Sequence, residues 1–333
     1  MTTDHPLVTV LTPVYNGEKY LAECIESVLN QDYKNWEYII ADNCSIDSTL
    51  DIANRYAEID GRIHVYHYDE FVDVIQSHNR ALHLISPHSK YCKIVSADDW
   101  IYPECITRLV ELAEIYPSIA IVGSYVINAK GIRWLEFPLK DTFFDGRQLC
   151  RSYLLGANVF GAPTSLLYRA DIVRDENHFF PGSTPNADFA VNFEILQHYD
   201  YGFVHQILSF ERKHEEALSA NLLKLNSFLV DRLEFLVKHG STFCSQEELV
   251  GRFKELLNIY YGYLAVGIVN FWSGEFWSYH RDRLEEIGVK LDIGKLVKAV
   301  IYKILDLLFN PKRTGEILLR RCKMALRSDR RNC

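Results

Sequence analysis

Short apolar runs alternate with longer amphipathic stretches over the first 125 residues. Val8–Val14, Trp36–Ala41, Arg62–Tyr68, Lys93–Ser96 and Ile119–Val126 are short and rich in β-branched residues, the pattern of strands. The stretches between them repeat at helical spacing. Glu18–Asn30 carries Leu21, Ile25, Val28 and Leu29 on one face, with Asn16 or Gly17 as its cap. Ser48–Glu58 carries Leu50, Ala53 and Ala57 behind Asp47 as a predicted N-cap. Phe71–Ile85 and Pro103–Tyr116 complete the series, the last with proline near its start. Alternation of this kind predicts an α/β fold: a mostly parallel central sheet with helices on both faces. Ligands bind such sheets at the carboxyl ends of the strands, so the loops after strands are where chemistry is expected.

Residues 127–215 are less regular. Strands are predicted at Ser165–Tyr168 and Phe203–Phe210, on either side of a helix over Asp188–His198. Beyond about Leu218 the pattern is helical. Gly294–Phe309 sets Leu296, Val297, Val300, Ile301, Ile304, Leu305 and Leu308 along one stripe, with Lys295, Lys298 and Lys303 outside it. From Pro311 to Cys333 eight Lys or Arg face only Glu316 and Asp329. That end can attach reversibly to the cytoplasmic face of a membrane, or pack on the preceding domain or a second subunit.

Composition narrows the class. With 48% hydrophobic and 24% charged residues, the 333-residue chain can bury a sizeable core. A formal net charge of −8 argues against a general nucleic-acid partner. The eight cysteines form no CxxC pair and suit neither a zinc site nor a disulfide scaffold. The start MTTDHPLVTV lacks a signal-peptide pattern, and no apolar run is long enough to span a bilayer. The expectation is a reduced, cytoplasmic protein.

Three strand ends carry the candidate chemistry. TVLTPVYN (Thr9–Asn16), IIADNCSIDST (Ile39–Thr49) and KIVSADDW (Lys93–Trp100) deliver Tyr15, Asp42 and Asp98–Asp99 to one edge of the sheet. An aromatic ring and a carboxylate can stack on and hydrogen-bond a base. A carboxylate pair can hold a hard cation, which in turn neutralises a leaving diphosphate. Each residue also has a structural alternative: Asp98–Asp99 as a turn or helix cap, Asp42 as a turn residue, Tyr15 as packing, Asp188 as a helix-start carboxylate, His214 as a satisfied histidine. Asn43-Cys44-Ser45 matches a glycosylation sequon but is discounted for a cytoplasmic chain.

The succession TPVYNGEKYLAECIESVLNQDY, YIIADNCSIDST, QSHNRAL and SADDW resembles the family 2 glycosyltransferases with the GT-A fold over roughly residues 7–105. GAPTSLLYR (Gly161–Arg169), NADFAVNFEIL (Asn186–Leu196) and FERKHEEALS (Phe210–Ser219) continue the likeness more weakly. The resemblance implies an inverting transferase, using Mn2+ or Mg2+, that moves a sugar from a nucleotide-sugar donor, UDP favoured, to a glycan or lipid-linked acceptor. It implies that Pro13 and Tyr15 lie at the nucleotide and that Asp42 accepts the ring N–H of a uracil-like base. Asn79 would lie over the nucleotide, and Asp98 and Asp99 would meet the ribose and the metal. Arg212 and His214 would approach the diphosphate or metal, and Asp188 would be the general base. Residues 1–217 would form the catalytic domain, with its nucleotide-binding half in 1–105 and its acceptor-side half in 106–217; 218–333 would be a helical extension. The chain departs from the family's Asp-x-Asp-Asp at Ser96-Ala97, has His78 where arginine is common, and has Ala187 before Asp188. A non-catalytic nucleotide-sugar-binding protein on the same fold is the alternative. A dehydrogenase is disfavoured, because no G-x-G-x-x-G follows the first strand.

Overall fold

The computed structural model describes residues 5–133, 136–175, 179–181, 186–214, 225 and 227–310. In chain order the first part runs β1 (Val8–Val14), α1 (Leu21–Leu29), β2 (Trp36–Asp42), α2 (Thr49–Ile59), β3 (Ile63–His67), α3 (Val74–Leu82), β4 (Tyr91–Ile94), β5 (Trp100–Ile101) and α4 (Cys105–Ile115). It continues with β6 (Ile119–Asn128), β7 (Gly131–Arg133), β8 (Phe143–Phe144), α5 (Gly146–Leu154), β9 (Leu166–Arg169), α6 (Ala170–Asp175), α7 (Ala187–Leu196) and β10 (Asp200–Phe210). The sheet order is β3-β2-β1-β4-β9-β6-β10-β5, with β7 on β6 and β8 on β10.

The first part of the sheet follows the predicted pattern. Every residue of β1 is buried, as a central strand covered on both faces requires, and it pairs in parallel with β2 and β4. β3 pairs on one side only and is mostly exposed beyond Ile63, as an edge strand should be. Helix α1 buries Leu21, Cys24, Ile25 and Val28, one stripe at i, i+3, i+4 and i+7. The other half is less uniform, because β9 runs antiparallel between β4 and β6. The sheet is therefore mixed at that seam, although β6 and β10 are again parallel.

Two expected caps lie elsewhere. Helix α1 begins at Leu21 behind Tyr20 with no side-chain cap, whereas Asn16 and Gly17 belong to the loop before it. Asp47 precedes α2 by two positions and accepts from the Thr49 N–H at 3.0 Å and the Glu18 N–H at 3.2 Å. Its carboxyl is held below its ordinary pKa by these bonds and by the Thr49 hydroxyl, against the opposing effect of burial. It thus starts the helix and also stitches the loops after β1 and β2 together.

Gln31 ties the end of α1 to the region past β4. Its fully buried amide donates to the carbonyls of Ser27 and Tyr102 at 3.0 and 2.7 Å and accepts from the Ile106 N–H at 3.0 Å. A buried amide satisfied at both ends fixes its surroundings, because each lost bond would leave a dry polar group. Cys24, Cys92, Cys105 and Cys150 are buried and unpaired, and burial pushes the Cys24 and Cys92 thiols up to about 12, so they pack as small apolar groups.

The chain divides into two compact units, one reaching residue 220 and including Thr242–Cys244, the other holding Asn221–Ser241 and the residues from Ser245 onward. The second unit contains α8 (Phe228–Phe243) up to Ser241, α9 (Gln246–Val269), α10 (Gly274–Glu286) and α11 (Ile293–Phe309). Ser245 and Glu248 form a reciprocal capping box at the start of α9. The core of this unit is partly ionic: Arg283 pairs with Glu234 and, at 3.5 Å, with Asp231, all three buried. No described helix is long and apolar enough to cross a membrane. The basic segment from Pro311 lies outside the described residues.

Candidate active site

The loop after β1 leaves the sheet through Asn16, whose φ of 49° lies in the left-handed region that asparagine tolerates better than most residues. Asn16 donates its N–H to the Ser45 hydroxyl at 2.9 Å and accepts the Ile46 N–H at 3.0 Å. Pro13 is buried in β1 opposite Ala41, and Tyr15 emerges from the strand end 46% exposed. Its ring lies 4.6 Å from that of Phe71, which is 58% exposed. Two neighbouring aromatic rings left in water at a strand end form a surface on which a planar base can stack.

Asp42, the last residue of β2, is fully buried beside them. Its Oδ2 accepts from His67 Nδ1 at 2.6 Å and from the Ser45 N–H at 3.3 Å. Its Oδ1 is buried with no hydrogen-bond partner among the described residues. A dry, unpaired carboxylate oxygen costs stability unless a ligand satisfies it, which makes this oxygen the strongest local sign of a binding site.

The second cluster gathers at the end of β4. The chain turns there, with the Asp99 N–H bonded to the Ser96 carbonyl at 3.0 Å. Asp98 and Asp99 diverge in role. Asp99 is buried, and its two oxygens accept from the Thr164 hydroxyl at 2.7 Å and the Arg212 N–H at 2.9 Å. Burial, reinforced by the charge of Asp98, pushes its pKa up to about 7. Asp99 therefore clasps two loops, joining the β4 turn to Thr164 and to Arg212. The Asp98 carboxylate is partly exposed, and its Oδ2 lies 2.9 Å from His214 Nε2.

His214 packs its ring against Tyr20 at 5.2 Å, and its Nδ1 is buried with no partner among the described residues. Arg212 also reaches this corner: its Nε donates to the Asp98 carbonyl at 3.0 Å and its Nη2 pairs with Glu23 at 2.5 Å. Residues 210–214 are held over the turn by the β5–β10 pairing and by Trp100 stacked on Phe210 at 3.7 Å.

Beneath the turn is a residue that sequence reasoning passed over. Lys93 is wholly buried in β4 and donates to the carbonyls of Thr164 and, at 3.0 Å, Leu166. Burial pulls its pKa below the ordinary lysine value. Its lone charge in an otherwise apolar strand was the available signal. Through it, β4 positions the Pro163–Ser165 turn, and Thr164 in turn accepts the Ser96 N–H at 3.1 Å and donates to Asp99.

Asn79 is buried near the end of α3. Its amide donates to the Phe180 carbonyl and accepts the Phe180 N–H, both at 2.8 Å. This pair of bonds anchors the 179–181 segment to α3. Asp188 stands half-buried in the first turn of α7, where the helix N-terminus favours a carboxylate. Its charge adds to burial in pushing up the pKa of Tyr168, whose hydroxyl is buried and unpaired among the described residues.

The sequence model of the glycosyl transferase family 2 matches residues 9–175, half of the chain. The chain belongs to that family. The family-2 region is 40% identical over 99 residues to TuaG of Bacillus subtilis (strain 168), proposed by its description to be a teichuronic acid biosynthesis glycosyltransferase; this covers 30% of the chain and 38% of TuaG. It is 33% identical over 139 residues to glycosyltransferase GlyA of Streptococcus pneumoniae serotype 4, covering 41% of the chain and 20% of GlyA. The chain thus spans less than half the length of these relatives. Among solved structures, S. aureus TarS 1–349 in complex with UDP-GlcNAc shares the fold at a TM-score of 0.64 and 18% identity, covering 84% of this chain and 80% of TarS 1–349. The mannosyltransferase PcManGT from Pyrobaculum calidifontis, in complex with GDP-Man and Mn2+, matches at a TM-score of 0.52 and 14% identity over 91% of this family-2 chain and 88% of its own.

Among the described residues no three His, Cys, Asp or Glu side chains are arranged to hold a metal. The pair Asp98–His214 offers two ligands, and an imidazole nitrogen with a carboxylate oxygen suits Mn2+ better than Mg2+. His214 is positioned by the contact of Nε2 with Asp98 and by its ring packing on Tyr20. The residues fit a metal completed by ligand oxygens and water, not a closed structural site.

Proposed function

We propose that the chain is an inverting glycosyltransferase that takes a sugar from a UDP-sugar and, with Mn2+, passes it to an acceptor hydroxyl in the synthesis of a cell-surface polysaccharide. The observation that carries this reading is the buried Oδ1 of Asp42, without a hydrogen-bond partner among the described residues, beside the Tyr15–Phe71 pair. A carboxylate oxygen there selects a base with a ring N–H, as uracil has and cytosine lacks. The polysaccharide setting is supported by the likeness to TuaG, and the donor class by the fold shared with TarS.

In this mechanism Asp42 accepts the imide N–H at Oδ1 while His67 and the Ser45 N–H keep Oδ2 occupied. Asp98 and His214 would hold a divalent cation, which when bound would supply positive charge to offset that of the departing diphosphate. Asp99 and Thr164 keep the Asp98 turn in register. Arg212, which pairs with Glu23, is positioned to offer its guanidinium to a phosphate oxygen. Asp188 removes the proton from the acceptor hydroxyl, which attacks opposite the leaving UDP and inverts the anomeric centre.

The test is UDP release from a panel of UDP-sugars with and without Mn2+. Release should require the metal and should fall to background in Asp98→Ala. Undiminished metal-dependent release by Asp98→Ala would remove Asp98 from the metal site.

A further inference from the structure

Phe71 lies in the link 68–73 between β3 and α3, with most of its ring in water. A side chain so little packed cannot hold its own place. A base that stacked on it would first have to freeze the link, and the lost freedom would lower affinity. The link is instead fixed by two side chains from outside it, Asn43 and Arg80.

Asn43 follows Asp42 in the loop after β2 and is buried. Its Oδ1 accepts the Val72 N–H at 3.2 Å and its Nδ2 donates to the Val72 carbonyl at 2.8 Å, so the amide pairs with the chain as a neighbouring strand would. Arg80, on α3, donates from Nη2 to the Glu70 carbonyl at 3.2 Å and to Asn43 Oδ1 at 2.8 Å. Its guanidinium lies over the Tyr68 ring at 3.9 Å. The Glu70 carbonyl and the Val72 N–H belong to the two peptide planes that flank Phe71. With both planes bonded, the φ and ψ of Phe71 are set, and with them the direction of its side chain. The Tyr68 N–H donates to the Asp42 carbonyl at 3.0 Å and ties the start of the link to the same loop. Asp42 and Phe71 are thereby joined in one bonded framework.

We propose that Asn43 and Arg80 are positioning residues for base recognition, which hold Phe71 ready beside Tyr15 as part of the surface on which the base stacks. The inference rests on the reading of the Tyr15–Phe71 pair as the base's seat. It adds that the seat is built before the nucleotide arrives, by residues that act through Phe71.

The experiment is calorimetry of UDP with Mn2+ on the full chain, with the melting temperature of each variant as the check of folding. The variants are Asn43→Ala, Arg80→Met, Phe71→Ala, and Phe71→Ala combined with Arg80→Met. Loss of the ring should weaken UDP by about tenfold, within the range for one stacked aromatic. Asn43→Ala and Arg80→Met should each weaken it by about fivefold, which corresponds to the freedom of one backbone residue. Arg80→Lys, which keeps a donor, should recover part of the loss, and it replaces Arg80→Met in the series if that variant does not fold. In the Phe71→Ala background the Arg80 change should add nothing, because no ring is left to place. A combined loss equal to the product of the two single losses overturns the proposal. So does parent affinity in both Asn43→Ala and the Arg80 variant. No UDP binding by the parent, or parent affinity in Phe71→Ala, overturns the base-seat reading itself and the inference with it.

Discussion

Asp98 and Asp99 are adjacent in sequence but face different tasks, and no spacing argument separates them. Asp99 is turned inward by Thr164 and Arg212, which come from segments 65 and 113 residues away. The same holds for Asp42, whose location at a strand end was legible but whose partner His67 was not. His67 lies on the neighbouring strand, in register with Asp42 itself. If His67 leaves Oδ1 as the acceptor for the base, His67→Ala should weaken UDP binding by roughly ten- to hundredfold, the range for one hydrogen bond to a charged group. It should also narrow the preference for UDP over CDP, and His67→Asn should restore part of both. Calorimetry giving the parent affinity and preference in His67→Ala would show that the histidine has no part in reading the base. Asp188→Asn should instead leave UDP affinity near that of the parent and slow transfer by about 10²–10⁴-fold, the contribution typical of a general base. Turnover at the parent rate would assign the base elsewhere.

At the level of elements, the long repeating segments were readable and the short ones were not. Strands β1, β2 and β6 declare themselves as continuous apolar runs, and helices α1, α2 and α4 through apolar residues at helical spacing. The strands β5, β7 and β8 have two or three residues each and exist only because a longer neighbour pairs with them. The fourth strand was expected at Lys93–Ser96 but runs Tyr91–Ile94, because the Ser96–Asp99 turn already claims the residues that follow. That shift is what makes Lys93 an interior residue. Its replacement, Lys93→Met, keeps the volume but strands the Thr164 and Leu166 carbonyls, so unfolding in urea should show a loss of about 1–3 kcal/mol. Because Thr164 orders the Asp98 turn, Mn2+-dependent UDP binding should weaken in the folded variant as well. Unchanged stability and binding would mean that the lysine is a passenger in the strand.

Over the whole molecule, the family resemblance is specific over roughly residues 7–105, continues more weakly to Ser219, and stops where the helical unit begins. Periodicity alone forecast helices there but merged both sides of α11 into one stripe, since it cannot tell a face packed on α9 from one left in water. The account's central claim concerns the other unit: a uracil-selective, metal-assisted nucleotide site at the ends of β1, β2 and β4. The most direct measurement is thermal unfolding of the full chain with UDP, CDP, GDP and ADP, each with Mn2+ and with EDTA. A ligand at about a hundred times its Kd adds about 2.7 kcal/mol to the folded state, enough to raise the melting temperature by several degrees. The account predicts such a rise for UDP with Mn2+, a smaller one for UDP with EDTA, and little for the other three nucleotides. A larger rise with GDP or ADP than with UDP, or a UDP effect indifferent to metal, would contradict it.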